Sequence, residues 1–189
     1  MRKLILSMQM SLDGFVEGAN GDMSWMNKND EEDWNHLFDM LKSVDLLLLG
    51  RGMWPDYRKY WQEALSNKGD FTEMEKKYAR YAEKTEHIVF SKTLQDAGWG
   101  NTKIINGSIP EEVAKLKQKT GKDIQIVGGA QFASTLIDAG LVDEYRLGLH
   151  PAILHAGKSL FASLLKNQSL ELVSSTQLKC GIVLLHYKN

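Results

Sequence analysis

Two glycine-centred turns carry the first chemical signal in this chain. Gly50-Arg51-Gly52 follows the aliphatic run Val44–Leu49, and Gly128-Gly129-Ala130-Gln131 follows Ile124–Val127. Each reads as the end of a strand and the start of a helix. A helix N-terminus presents unpaired backbone N–H groups and the positive end of the helix dipole, so it attracts phosphate. Glycine there removes the side chain that would hold an anion away from the backbone. Arg51 adds a positive charge to the first turn. Ser91-Lys92, after a third strand, offers a hydroxyl and an ammonium to a further phosphate. Together these features point to a pyrophosphate straddled by two helix ends. Neither G-x-G-x-x-G nor G-x-x-x-x-G-K-[ST] is present. For either turn alone, a tight connection without a ligand is the plain alternative.

The second signal is acidic. Asp30, Glu31, Glu32 and Asp33 precede Trp34, Leu37, Phe38 and Leu41, which fall at i, i+3, i+4 and i+7 and mark one apolar helical face. Asn29 and Glu32 have the spacing of a capping box. A solvated first turn that complements the helix dipole accounts for such a cluster. Asp33 borders the apolar face and is the one acid placed to reach a pocket. His150 and His155 stand five apart across Pro151, which is not a zinc spacing, and His150 reads as the end of a strand. No metal site is expected. Cys180 reads as a small packed side chain.

These residues need a scaffold, and the hydrophobic pattern supplies one. Arg2–Met10, Val44–Leu49, His87–Phe90, Lys103–Ile105, Ile124–Val127 and Val142–Leu149 read as strands, with a long loop from Asp13 to about Asn29. Helices are expected after Asn29, over Met53–Trp61, along Phe71, Met74, Tyr78 and Tyr81, from Pro110, and over Ala130–Ala139 up to Gly140. Leu170–Thr176 and Gly181–Tyr187 are close enough to pair as a hairpin. The unalternated run Val44–Leu49 suits a strand covered on both faces. The expected architecture is one α/β domain over residues 1–189, its mixed sheet parallel in the middle and antiparallel at the C-terminal edge.

Composition narrows the function classes. A chain of 189 residues that is 43% hydrophobic and 25% charged is of the globular kind. Twenty-three basic residues against twenty-four acidic ones argue against a large basic face for nucleic acid. The longest aliphatic run, Leu46–Leu49, is far short of a membrane span. One cysteine cannot form an internal disulfide, so the cytoplasm is the expected compartment. The expected partner is a small molecule, with neither nucleic acid nor membrane, and a homodimer stays open as an assembly.

In order and content, several motifs resemble the dihydrofolate reductase-like family. They are Met8-Gln9-Met10-Ser11-Leu12-Asp13-Gly14, Gly50-Arg51-Gly52-Met53-Trp54 and Val127-Gly128-Gly129-Ala130. The Ser-Leu-Asp-Gly run is most similar to the C-terminal reductase domain of the bacterial riboflavin biosynthesis protein RibD. So are Gly140–Leu147, His150-Pro151, Gly157-Lys158 and Leu160-Phe161. The resemblance implies a three-layer dihydrofolate reductase-like fold and an NADPH-dependent reductase of a pteridine- or pyrimidine-like heterocycle, akin to 5-amino-6-(5-phosphoribosylamino)uracil. It also admits dihydrofolate reductase activity, or a non-catalytic protein that binds NADPH or another ligand.

By similarity, Met8 and Gln9 offer backbone groups to the nicotinamide carboxamide. Gly50, Arg51, Gly52 and Met53 form one side of the phosphate cradle, and Val127, Gly128, Gly129, Ala130 and Gln131 the other. Ser91 and Lys92 lie where the fold contacts the adenosine 2′-phosphate. Trp25 borders the substrate. Folate reductases place an acid early in the first helix. Asp33 is one position from that count, where Trp34 stands, and is the candidate proton donor. The riboflavin branch uses basic residues to hold a ribose phosphate. Lys42 is the only lysine on this helix, and seven acids stand from Asp22 to Asp45 inclusive.

Overall fold

The computed structural model describes residues 1–189. Its strands are β1 (Leu4–Ser11), β2 (Phe15–Gly18), β3 (Val44–Gly50), β4 (Glu86–Phe90), β5 (Thr102–Ile105), β6 (Asp123–Gly128), β7 (Glu144–His150), β8 (Gly157–Ser159), β9 (Glu171–Gln177) and β10 (Val183–Lys188). Its α-helices are α1 (Glu31–Leu41), α2 (Trp54–Leu65), α3 (Glu73–Lys84), α4 (Ile109–Gln118) and α5 (Ala130–Asp138). Eight strands make one sheet in the order β5-β4-β3-β6-β1-β7-β10-β9. Pairing is parallel from β5 to β7, while β10 runs antiparallel to both β7 and β9. The mixed α/β sheet with an antiparallel C-terminal edge is therefore the one the pattern implies.

Strand periodicity splits the apolar residues into two cores, one on each face. Leu46 and Leu48 of β3, with Ile124 and Ile126 of β6, meet Val113 and Leu116 of α4 and Phe132 and Leu136 of α5. Leu47 and Leu49 point the other way, to Leu41 of α1, Trp54 and Tyr57 of α2, and Tyr78 of α3. Leu47, Leu48 and Leu49 are fully buried. Each such side chain contributes roughly 1.5–3 kcal/mol of hydrophobic stabilisation. The second core holds an aromatic stack around His87, whose Nε2 lies 3.1 Å from the Tyr57 hydroxyl.

Two local readings change. The cap of α1 is Asp30, not Asn29: its carboxylate accepts from the Asp33 N–H at 2.9 Å. Asn29 instead sits in a turn, where its N–H donates to the Asn27 side chain. The stretch after Asp13 is not wholly loop. Its strand β2 pairs with β8 in a small antiparallel ribbon. The two four- and three-residue strands are too short to show a period of two.

The strand order positions the site. β3 and β6 are neighbours, yet α2 after β3 packs in one core and α5 after β6 in the other. Helices that leave adjacent parallel strands towards opposite faces open a crevice at the carboxyl ends, the usual ligand position in such sheets.

Candidate active site

Both glycine turns meet in that crevice. Leu49 of β3 pairs with Gly128 of β6, and a Cβ on Gly129 would lie 3.9 Å from the Gly50 backbone. Gly129 has φ +94°, a conformation that side-chain-bearing residues rarely adopt. It caps α5 without any side-chain hydrogen bond, leaving the first-turn N–H groups of α5 without a side-chain acceptor. By contrast, α1 and α3 are capped by Asp30 and Thr72. Gly52 is open, with nothing near its missing side chain. Gly128 serves differently: the Met53 thioether and the Met8 methyl occupy the space beside it, a Cβ there coming 2.1 Å from the Met53 sulfur. Gly50 lets Phe132 of α5 pack closely on β3.

Arg51 is exposed beside this crevice and belongs to no ion pair. Its N–H donates to the Phe90 carbonyl at 3.2 Å, which ties the turn to the end of β4. There Ser91 is buried, and its hydroxyl oxygen accepts from the N–H groups of Thr93 and Leu94. Lys92 beside it is exposed. Ser91, Lys92, Leu94, Ile105, Asn106 and Glu112 line a groove of about 420 Å³. Uncapped amides, an open glycine and an unpaired arginine fit an anionic pyrophosphate, and the groove beyond them has room for a nucleoside.

A polar cluster lies on the other side of β1. The Gln9 Nε2 donates to both Asp33 carboxyl oxygens, at 3.0 and 3.3 Å, and the Gln9 Oε1 stands 2.9 Å from His150 Nε2. Gln9 pairs with Gly148 of β7, and a Cβ on Gly148 would fall 1.8 Å from Oε1. Glycine at that position is what lets the amide cross β7. Trp25 meets the His150 ring edge-on at 5.3 Å. Burial raises the Asp33 pKa above the usual aspartate value, aided by the Asp30 charge and opposed by the Gln9 hydrogen bond and by His36. Burial lowers that of His150.

The candidate residues thus fall into two groups bridged by β1. Met8, Gly50, Arg51, Gly52, Met53, Val127, Gly128, Gly129, Ala130 and Gln131 gather at the crevice, and Ser91 and Lys92 lie at its far end. Asp33, Gln9 and Trp25 form the second group. Sequence reasoning missed His150 and the side-chain role of Gln9. The available signal was the period of two on β7, which puts Gly148 and His150 on one face beside Gln9 and Ser11. No group of acids, histidines and cysteine with metal-binding geometry exists.

Residues 2–184 match the family model of the RibD C-terminal domain. The chain belongs to the RibD C-terminal domain family. Protein YyaP of Bacillus subtilis (strain 168) is 34% identical over 186 residues, covering 98% of this chain and 94% of that one. Riboflavin biosynthesis protein RibD of Corynebacterium ammoniagenes is 26% identical over 175 residues, 86% of this chain and 47% of that protein. A solved Shewanella sp. PV-4 protein, named for riboflavin biosynthesis, has a TM-score of 0.73 at 19% identity, covering 100% and 98% of the two chains. Dihydrofolate reductase from Enterococcus faecalis, solved with NADP(H) and RAB-propyl, has a TM-score of 0.63 at 13% identity, covering 98% and 95%. The fold of this RibD C-terminal domain is dihydrofolate reductase-like, and its family supports a reductase of the riboflavin-pathway type. No helix is long and apolar enough to cross a membrane.

Proposed function

We propose that residues 1–189 act as one NADPH-dependent reductase of a pteridine- or pyrimidine-like heterocycle. The observation that carries this reading is the juxtaposition along β1. Met8 places its methyl beside Gly128 of the paired glycine turns, and the next residue, Gln9, holds the half-buried Asp33 carboxyl. The cradle and the acid are thereby met by successive residues of one strand.

NADPH, when bound, supplies a hydride from its nicotinamide ring. The chain's own residues account for the rest. Gly129, Ala130 and Gln131 offer backbone N–H groups to the pyrophosphate, and Gly50, Arg51, Gly52 and Met53 close its other side. Lys92, with Ser91 shaping the turn, takes the 2′-phosphate. Backbone groups of Met8 and Gln9 orient the nicotinamide carboxamide. Trp25 covers the acceptor, and Asp33 holds a proton beside it. Burial helps here, because it keeps that carboxyl protonated to higher pH than in water. The acidic first turn of α1 repels phosphate, so an anionic tail on the acceptor would have to point away from it.

The test is loss of reduced-nicotinamide absorbance with 5-amino-6-(5-phosphoribosylamino)uracil, its dephosphorylated form and dihydrofolate. We expect turnover of at least one, falling about 100-fold or more in Asp33→Asn. Saturable NADPH binding without turnover of any acceptor would favour a binding protein. Absence of saturable binding would overturn both nicotinamide readings.

A further inference from the structure

We propose that His150 is a positioning residue that fixes which end of the Gln9 carboxamide faces Asp33. With Asp33 ionised, the hydrogen-bond inventory permits one consistent assignment. An ionised carboxylate only accepts, so Gln9 must turn its NH₂ towards Asp33, as the 3.0 and 3.3 Å contacts have it. The Gln9 Oε1 then points at His150 Nε2, 2.9 Å away, and needs a donor there. His150 supplies one only with its proton on Nε2. Its Nδ1 is then free to accept, and the Asn27 N–H approaches it at 3.4 Å. A neutral Nε2–H imidazole satisfies every partner in the chain of contacts, and burial favours that neutral form. Trp25 holds the ring from its edge, and Gly148 leaves the amide its path across β7.

Removing the His150 donor has a specific consequence. Gln9 Oε1 loses its partner, and once Asp33 is protonated nothing opposes a flip of the amide. A flipped Gln9 presents Oε1 to Asp33, which stabilises the protonated carboxyl instead of the carboxylate. His150 thereby sets how readily Asp33 releases its proton. Asp30, which caps α1, and His36, within it, are the titratable neighbours that act directly on Asp33. Cys180, in the turn before β10, bears on Asp30. None of these changes when His150 is replaced. The importance of His150 for turnover rests on the reading of Asp33 as proton donor, but its effect on Asp33 does not.

The experiment follows the carboxyl carbons of ¹³C-labelled aspartate by NMR through a pH titration of the ligand-free protein, with Asp33→Asn to assign the signal. His150→Leu is expected to raise the Asp33 midpoint by about one pH unit, a tenfold change in proton affinity. His150→Gln, which places an amide donor near the same point, is expected to restore most of it. Gln9→Met removes the amide donor from both carboxyl oxygens and is expected to raise the midpoint as well, which keeps the proposal open to refutation should His150→Leu fail to fold. An unchanged midpoint in either folded apolar variant overturns the proposal. So does a His150→Gln midpoint as high as that of His150→Leu. Absence of NADPH turnover would overturn the reductase reading and leave this titration standing.

Discussion

The two ends of the parallel sheet treat their cations in opposite ways. At the amino ends of the strands, Arg2 is paired with Asp45, Lys3 with Glu144 and Lys117 with Asp143. These pairs staple strands and loops together. Lys117 also donates to the Leu141 carbonyl, and Asp143 accepts from the Leu4 N–H. At the carboxyl ends, Arg51 and Lys92 are exposed and unpaired, next to helix N-termini and glycines without side-chain caps. One end spends its charge on the fold. The other leaves its charge unpaired, where we propose that the cofactor phosphates bind. Substitutions at the two ends should therefore move different observables.

The largest effect is expected at the amino end. Asp143→Ala leaves the Lys117 ammonium, 6% exposed, without its carboxylate. Loss of one partner of a buried pair costs ~3–5 kcal/mol, and the 35% exposure of Asp143 puts this pair at the low end, about 3 kcal/mol. Urea unfolding should show that loss, while NADPH affinity of the folded protein stays as in the wild type. Acid provides the next test, from the core between the ends. Burial pushes the His87 pKa from 6.5 down to about 4, so the unfolded chain binds the extra proton between those values. Stability is then fully present above pH 6.5 and is lost as pH falls towards 4, by on the order of 3 kcal/mol. His87→Phe should flatten that part of the urea-midpoint profile.

At the carboxyl end the effects should fall on binding. Arg51→Ala is expected to weaken NADPH by roughly 1.5–3 kcal/mol, the range for a hydrogen bond to a charged group, without moving the urea midpoint. Lys92→Ala should cost less, about 0.5–1 kcal/mol, because an exposed lysine pairs weakly. That loss should appear with NADPH and not with NADH. A fall in stability for either variant would erase the contrast between the two ends.

The carboxyl-end half of this contrast is readable in the sequence because it rests on local pattern. The aliphatic run Leu46–Leu49 and the glycines after it mark β3 and its turn without any tertiary information. The same holds for Ile124–Val127 and Gly128-Gly129. What pattern cannot supply is pairing between distant residues. Gln9 and Gly148 are neighbours only because β1 and β7 align, and His150 gains its partner from that register. The Asp30 cap escaped by one position, since Asn29 is an equally good capping residue by type. β2 and β8 pair across a separation that no short pattern spans.

Hydrogen–deuterium exchange with and without saturating NADPH tests the central claim most directly, because it reads both ends of the sheet at once. Protection is expected at residues 50–54, 91–94 and 128–132, with exchange at 2–4, 117–123 and 141–144 unchanged. Protection absent from the glycine turns, or concentrated at the paired-cation end, would contradict the account.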